Sequence, residues 1–225
     1  MRNILFNYPQ PKEPRYLENN FRNFKDTLVA SYRDREFYHG TKSTGYGGYK
    51  YDGRWKGVAK NCCEMYNLNN FSKILQINCD FGFLLNDLKE LNNTFIVKGT
   101  ESSNYAIKNS MASMNGAIKY RRPIDIDFPE NYFDLVIAFG VVYTLTIPDA
   151  ILLLKNISRI SKNNKSFITL ATYDIITEKE LFESWTLGGN LCLKREDWKM
   201  IMQESDYKGD FLFIDSNYLN LKKSK

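Results

Sequence analysis

The chain has 225 residues, of which 43% are hydrophobic and 25% charged, with 15 Tyr, 15 Phe and 3 Trp. These fractions exclude a disordered, fibrous or collagen-like polypeptide, and the length can bury a sizeable core. The net charge of +5 comes from Lys and Arg scattered among Asp and Glu. No basic stripe of the kind a duplex-binding protein carries results, so nucleic acid is not an expected partner.

Residues 1–16, MRNILFNYPQPKEPRY, hold prolines and charges where a signal peptide needs an apolar stretch. Arg15 to Tyr38 is charged with spaced aromatics (Tyr16, Phe21, Phe24, Leu28, Tyr32) and reads as one or two amphipathic helices. A glycine- and tyrosine-rich segment, His39 to Tyr49, then interrupts regular structure. From Tyr51 the pattern turns helical, with Trp55, Val58, Ala59, Cys62 and Tyr66 on one face.

After Asn69-Asn70, strand-like and helix-like runs alternate. Strands are expected at Lys73–Asn78, Thr94–Thr100, Ala117–Arg121, Phe133–Gly140, Lys165–Thr172 and Asp210–Asp215. Helices are expected at Phe83–Leu91, Asn104–Met111, Pro148–Ser161, Glu178–Leu187 and Arg195–Ser205. Near-continuous apolar strands such as Leu135-Val136-Ile137-Ala138-Phe139 belong in a sheet covered on both faces. The expected fold class is therefore α/β: a doubly wound, Rossmann-like, mostly parallel sheet with helices on both faces. Residues 1–70 would form N-terminal helices and a Gly/Tyr-rich lid, and 71–225 the core, in one compact unit. The basic end Lys222-Lys223-Ser224-Lys225 reads as a solvated tail.

The longest apolar run, Leu135 to Leu145, is too short to span a bilayer, so no membrane partner is expected. The cysteines Cys62, Cys63, Cys79 and Cys192 form no C-x-x-C pair, and His39 is the sole histidine. Neither a metal site nor a disulfide framework is implied, and reduced thiols suit a cytoplasmic protein.

In a doubly wound sheet, ligands bind beyond the carboxyl ends of the strands where strand order reverses. The first core strand leaves through Gln76-Ile77-Asn78-Cys79-Asp80-Phe81-Gly82, a tight loop opening a helix, where backbone N–H groups can meet an anion. The second ends at Gly99-Thr100-Glu101-Ser102-Ser103, placing a carboxylate suited to ribose hydroxyls. The fourth follows Phe128-Pro129-Glu130-Asn131-Tyr132-Phe133-Asp134-Leu135-Val136.

With these motifs in this order, the sequence resembles the class I S-adenosylmethionine-dependent methyltransferases. The first exit is similar to their Asp-Val-Gly-Cys-Gly-x-Gly loop, with Cys79 and Gly82 in register, and Phe128 to Val136 to their Phe-Pro-Asp-Asn-x-Phe-Asp-Leu-Val run. Gly45 to Trp55 resembles a Gly-Tyr-Gly-Gly-Tyr-x-Tyr-Asp-Gly-Arg-Trp signature of a small-molecule subgroup, echoed later by Trp185, Asp197-Trp198 and Asp206 to Asp210. The resemblance covers roughly residues 40 to 215. It implies S-adenosylmethionine as cofactor, held by Asn78, Cys79, Asp80, Gly82, Glu101 and Ser102.

The departures fall at the cofactor loop. Gln76 replaces the family's first acid, Asn78 and Asp80 replace its first two glycines, and Arg122 falls near the position of an adenine-binding acid. Asn164-Lys165 stands for a Gly-Gly, and Tyr143 for a histidine of the subgroup. Tyr51, Arg54, Trp55 and Arg122 are candidate substrate or lid residues, and Tyr143 and His39 candidate catalytic groups. Each has a plainer reading as a packed or solvated side chain. Three functions stay open: a methyltransferase-like enzyme acting on a sugar or other metabolite with a degraded cofactor motif, a catalytically inactive binding protein or partner subunit of an active enzyme, or a site altered to hold a different anionic ligand with Arg121 and Arg122 as counter-charges. Homo-oligomerisation is equally open. The lid and the Trp185–Trp198 region are expected to recognise the substrate, and the usual final antiparallel hairpin to be shortened.

Overall fold

A computed structural model describes residues 1–17 and 22–224. The expected helix over the intervening residues lies outside the described part. In chain order the elements are β1 (Arg15–Leu17), α1 (Phe24–Ser31), α2 (Arg35–His39), α3 (Lys56–Tyr66), β2 (Lys73–Ile77), α4 (Phe83–Leu91), β3 (Ile96–Glu101) and α5 (Asn104–Lys108). Then come β4 (Ile118–Tyr120), β5 (Leu135–Ala138), α6 (Ile147–Ile160), β6 (Ser166–Ala171), α7 (Ile176–Trp185), α8 (Arg195–Glu204), β7 (Asp210–Ile214) and β8 (Leu221–Lys223).

Six strands form one sheet in the order β4-β3-β2-β5-β6-β7. All five neighbouring pairs are parallel. Alternate residues of each strand point to opposite faces. Leu75, Ile77, Val136, Ala138, Ile168 and Leu170 accordingly join α6 and α8 in one core. Ile74, Leu135, Ile137 and Phe167 join α3 and α4 in the other. The α/β doubly wound architecture is as the apolar strands imply. Strand order reverses between β2 and β5, which fixes the crevice for a ligand.

The final antiparallel hairpin, expected to be shortened, is absent from the described six-stranded sheet. β7 runs parallel to β6, pairing Phe167 with Asp210 through Ala171 with Ile214. The basic end is also not a free tail. Leu221 is 1% exposed, and β8 pairs parallel with β1 from Arg15–Leu221 to Leu17–Lys223, while the two lysine side chains stay exposed. An apolar anchor beside the charges holds the segment down. The N-terminus is likewise tied in. Arg2 N–H donates to Asp210 Oδ1 at 2.7 Å, and Asn61 Nδ2 donates to the Ile4 carbonyl at 2.8 Å. That anchoring sets Leu5 and Tyr8 beside the crevice.

Candidate functional site

The loop from β2 to α4 has three residues in the left-handed region: Asn78 (φ 55°), Asp80 (φ 50°) and Gly82 (φ 75°). Glycine adopts this region freely, and Asn and Asp are the side-chain-bearing residues that enter it most readily. The loop therefore follows a glycine-type backbone path, although only one of the three positions is a glycine. It is pinned by Cys79 N–H donating to Thr100 O at 3.0 Å and Gly82 N–H to Cys79 O at 2.9 Å. Ser102 Oγ donates to Asn78 Oδ1 at 3.1 Å. In β3, Gly99 gives Cys79 its place: a Cβ there would stand 2.5 Å from the Cys79 sulfur.

Glu101 ends β3 and is fully buried. Its Oε2 accepts from Asp80 N–H and its Oε1 from Ser103 N–H, both at 2.8 Å. Burial pushes its carboxyl above the ordinary range and the neighbouring Asp80 charge adds to this, while Arg33 and the backbone donors pull the other way.

Asp80 is the hub of the lid. Arg33 Nη2 donates to its Oδ1 at 2.7 Å and Tyr38 OH at 2.8 Å. Tyr46 OH reaches Oδ2 at 3.1 Å, and Tyr49 OH at 3.4 Å. Arg33 also donates to Tyr38 OH at 3.0 Å and stands 3.6 Å from Glu101 Oε1. The rings pack with Phe81: Tyr38 lies 4.8 Å and Tyr49 5.0 Å from it between centroids, and Tyr46 stacks on Tyr49 at 4.3 Å. The chain from Arg33 to Tyr49 is thus clamped over the loop and over Glu101.

A cavity of about 380 Å³ remains at the β2–β5 reversal. Its floor is Gln76, Asn78, Cys79 and Asp80 from the first strand exit and Phe139 and Gly140 from the second. Tyr46, Tyr49, Trp55 and Phe83 form aromatic walls, Leu5, Tyr8 and Tyr218 come from the chain ends, and Lys50 and Arg54 add positive charge. Gln76 is buried, and its Oε1 has no hydrogen-bond partner. An orphaned acceptor in a cavity wall is suited to an N–H donor of a ligand.

The structure gathers Asn78, Cys79, Asp80, Arg54 and Trp55 at this cavity. Gly82 opens α4 beneath it, against Ile118 and Met114. Tyr51 instead donates to Asp87 Oδ1 of α4 at 2.5 Å. His39 packs in the lid beside Phe81 and Tyr105. Arg122 is not brought to the site: it is exposed and paired with Asp125 at 2.7 Å. Tyr143 sits next to Gly140, and burial pushes its phenol up to about 12, so it is not a ready proton acceptor at neutral pH. The late tryptophans do not line the cavity. Trp198 is fully buried with its Nε1 donating to Ala171 O at 2.7 Å, and Trp185 packs on Phe182 and Arg15. Arg33, Tyr38, Leu5, Tyr8 and Tyr218 are the site residues that sequence reasoning missed. No local signal marks Arg33 within its charged stretch.

No family model and no curated protein matches the chain. Solved structures do. The YcgJ protein of Bacillus subtilis aligns at 11% identity over 65% of this chain and 66% of its own, with TM-score 0.54. A complex of the Trm112 methyltransferase activator and a putative methyltransferase from Haloferax volcanii aligns at 16% identity, 68% and 72% coverage, and TM-score 0.54. The chain has the class I methyltransferase fold. The [4+2]-cyclase SpnF also matches, at 12% identity over 87% of this chain and 74% of its own, with TM-score 0.55. The methyltransferase fold alone therefore does not decide the reaction.

The residues fit S-adenosylmethionine unevenly. The cavity and the Gln76 acceptor suit its amino-acid end. The ribose end does not fit in this conformation, because Glu101 has no exposed surface and Arg33 stands against it. Among the described residues no cluster of His, Cys, Asp or Glu could hold a metal ion, and no helix is long and apolar enough to cross a membrane.

Proposed function

We propose that this protein is an S-adenosylmethionine-dependent methyltransferase-like protein acting on a small molecule, a sugar or other metabolite, in the cytoplasm. The observation that carries the reading is the cavity at the β2–β5 reversal, floored by a loop that holds left-handed backbone at Asn78, Asp80 and Gly82. When bound, the cofactor supplies a transferable methyl group. The chain's own part is to bind and orient. The aromatic walls exclude water and stack on a flat or apolar ligand, and Gln76 and Lys50 offer an acceptor and a cation. Proximity and alignment supply much of the rate in such transfer, so a strong acid–base constellation is not required.

A second reading is supported by Arg33 and Asp80: a fold relative that binds without catalysis, as a sensor or as partner of an active subunit. The Haloferax structure, named as an activator with a methyltransferase, offers a precedent for pairing. Thermal-shift titration with S-adenosylmethionine and S-adenosylhomocysteine separates the readings. A ligand at a hundred times its dissociation constant stabilises the native state by about 2.7 kcal/mol. A shift with both compounds supports cofactor binding, and methyl transfer to a small molecule then separates an enzyme from a sensor. Absence of any shift at millimolar concentration, together with co-purification of a second methyltransferase-like chain, supports the partner reading.

A further inference from the structure

We infer that Arg33 decides whether a ribose diol can reach Glu101, so that one side chain gates the nucleoside half of the site. The inference rests on reading this crevice as a cofactor site.

An ionised carboxylate offers about four acceptor positions. Glu101 spends two on Asp80 N–H and Ser103 N–H, and it has no exposed surface. The Arg33 guanidinium stands 3.6 Å from its Oε1, over the acceptor capacity that remains. A diol binds Glu101 only after that guanidinium leaves. Arg33 is held in that place. Its Nη2 donates to Asp80 Oδ1 at 2.7 Å and to Tyr38 OH at 3.0 Å, and its guanidinium lies 4.9 Å from the Phe37 ring centre. These contacts favour the closed state, so substitution at Arg33 is what exposes Glu101.

Asp80 makes the gate two-sided. Two carboxylates, Asp80 and Glu101, share the one guanidinium. Removing Arg33 alone leaves like charges facing each other, whereas removing Arg33 and Asp80 together leaves Glu101 without that repulsion. Glycine at position 80 also suits its φ of 50°.

Isothermal titration of the full chain with adenosine, S-adenosylhomocysteine and L-methionine tests the gate. The double variant Arg33→Ala/Asp80→Gly is expected to bind adenosine and S-adenosylhomocysteine about tenfold tighter than the wild type. L-Methionine, which has no ribose, is expected to bind Arg33→Gln and the wild type alike, because Arg33 does not line the cavity. Circular dichroism verifies that the double variant is folded, and Arg33→Gln, which shortens the side chain and removes the charge, provides a second variant with the same expected direction. Equal nucleoside affinity in wild type and variants, or weaker affinity in the variants, overturns the gate while leaving the cofactor reading intact. A gain for L-methionine as large as that for adenosine also overturns it, since the effect is then general opening. If no variant binds S-adenosylhomocysteine at millimolar concentration, the cofactor reading itself fails and the gate with it.

Discussion

Replacing Asp80 by glycine removes the hub that four lid groups share, and its cost follows from the contacts. The residue sits at φ 50°, where a side chain costs about 1 kcal/mol relative to glycine. The extra freedom of glycine in the unfolded chain takes back about 0.4–1 kcal/mol, so the backbone contributions nearly cancel. What remains is the lost bonding. The Arg33 contact at 2.7 Å joins side chains that are 28% and 16% exposed. A charge-assisted bond of that kind, discounted for partial exposure, is worth about 1–1.5 kcal/mol. Tyr38 is fully buried, and stranding its hydroxyl without an acceptor costs about 1 kcal/mol. The longer contacts from Tyr46 and Tyr49 add little.

The expected loss is about 2 kcal/mol, or about 4–8 °C in melting temperature for a chain of this size. Asp80→Asn keeps an acceptor and tolerates the left-handed backbone, so it should lose about half as much. Calorimetry measures the size, and hydrogen exchange locates it. Exchange should rise over Arg33 to Tyr49 and stay slow in β2, β5 and β6, whose residues are buried in the two cores. An Asp80→Gly protein as stable as the wild type, with unchanged exchange in the lid, would refute the view that this carboxylate holds the lid closed.

The other predictions concern the sheet and its charge. Gly99→Ala places a Cβ 2.5 Å from the Cys79 sulfur, and overpacking of this kind costs about 1–3 kcal/mol. Adding Cys79→Ala should recover part of that loss in urea melts, and an additive double variant would show that the clash is not the cause. Glu101 has a carboxyl raised by burial, so its contribution is full below the ordinary 4.5 and is lost as pH rises through the folded-state value. Stability from this group therefore declines upward from about pH 4.5, and Glu101→Gln should flatten that slope; an unchanged slope would assign it elsewhere. Trp198→Phe removes the shorter of two hydrogen bonds to the Ala171 carbonyl, leaving only Leu193 N–H at 3.3 Å, and opens a void, at a cost of about 2 kcal/mol. Because Trp198 does not line the cavity, ligand affinity should hold, and a matching fall in affinity would contradict that placement.

Much of the sheet was legible because its residues are buried on both faces. Leu135 to Ala138 is apolar throughout and Phe167 to Ala171 is broken only by the buried Thr169, as strands of a doubly covered parallel sheet require. The pairing of the ends was not legible. Arg15 to Leu17 and Leu221 to Lys223 are three-residue strands rich in charge, and strand signals of that length vanish against a helical reading of the same residues. The direction of β7 was not legible for a related reason. The residue pattern of Asp210–Ile214 is compatible with either pairing, and what sets its direction is the connection through α8.

At the site, local residues were legible and their partners were not. Asn78, Asp80 and Gly82 could be read as a turn because each tolerates positive φ, and all three adopt it. A charge at position 80 raises the question of what neutralises it, and the answer lies 47 residues upstream at Arg33. Nothing in the local sequence around Arg33 marks it, since Arg33, Arg35 and Arg22 sit in the same charged stretch. Only the fold separates them. Arg35 pairs with its neighbour Glu36 on the surface, while Arg33, on a left-handed turn, is the guanidinium that reaches both Asp80 and Glu101. Asp80 thus has to be read together with Arg33 and the tyrosine hydroxyls. A lone aspartate there would repel an anionic ligand end and raise Glu101 further, whereas the bonded one turns the lid into a closed cover whose removal is a question of one guanidinium.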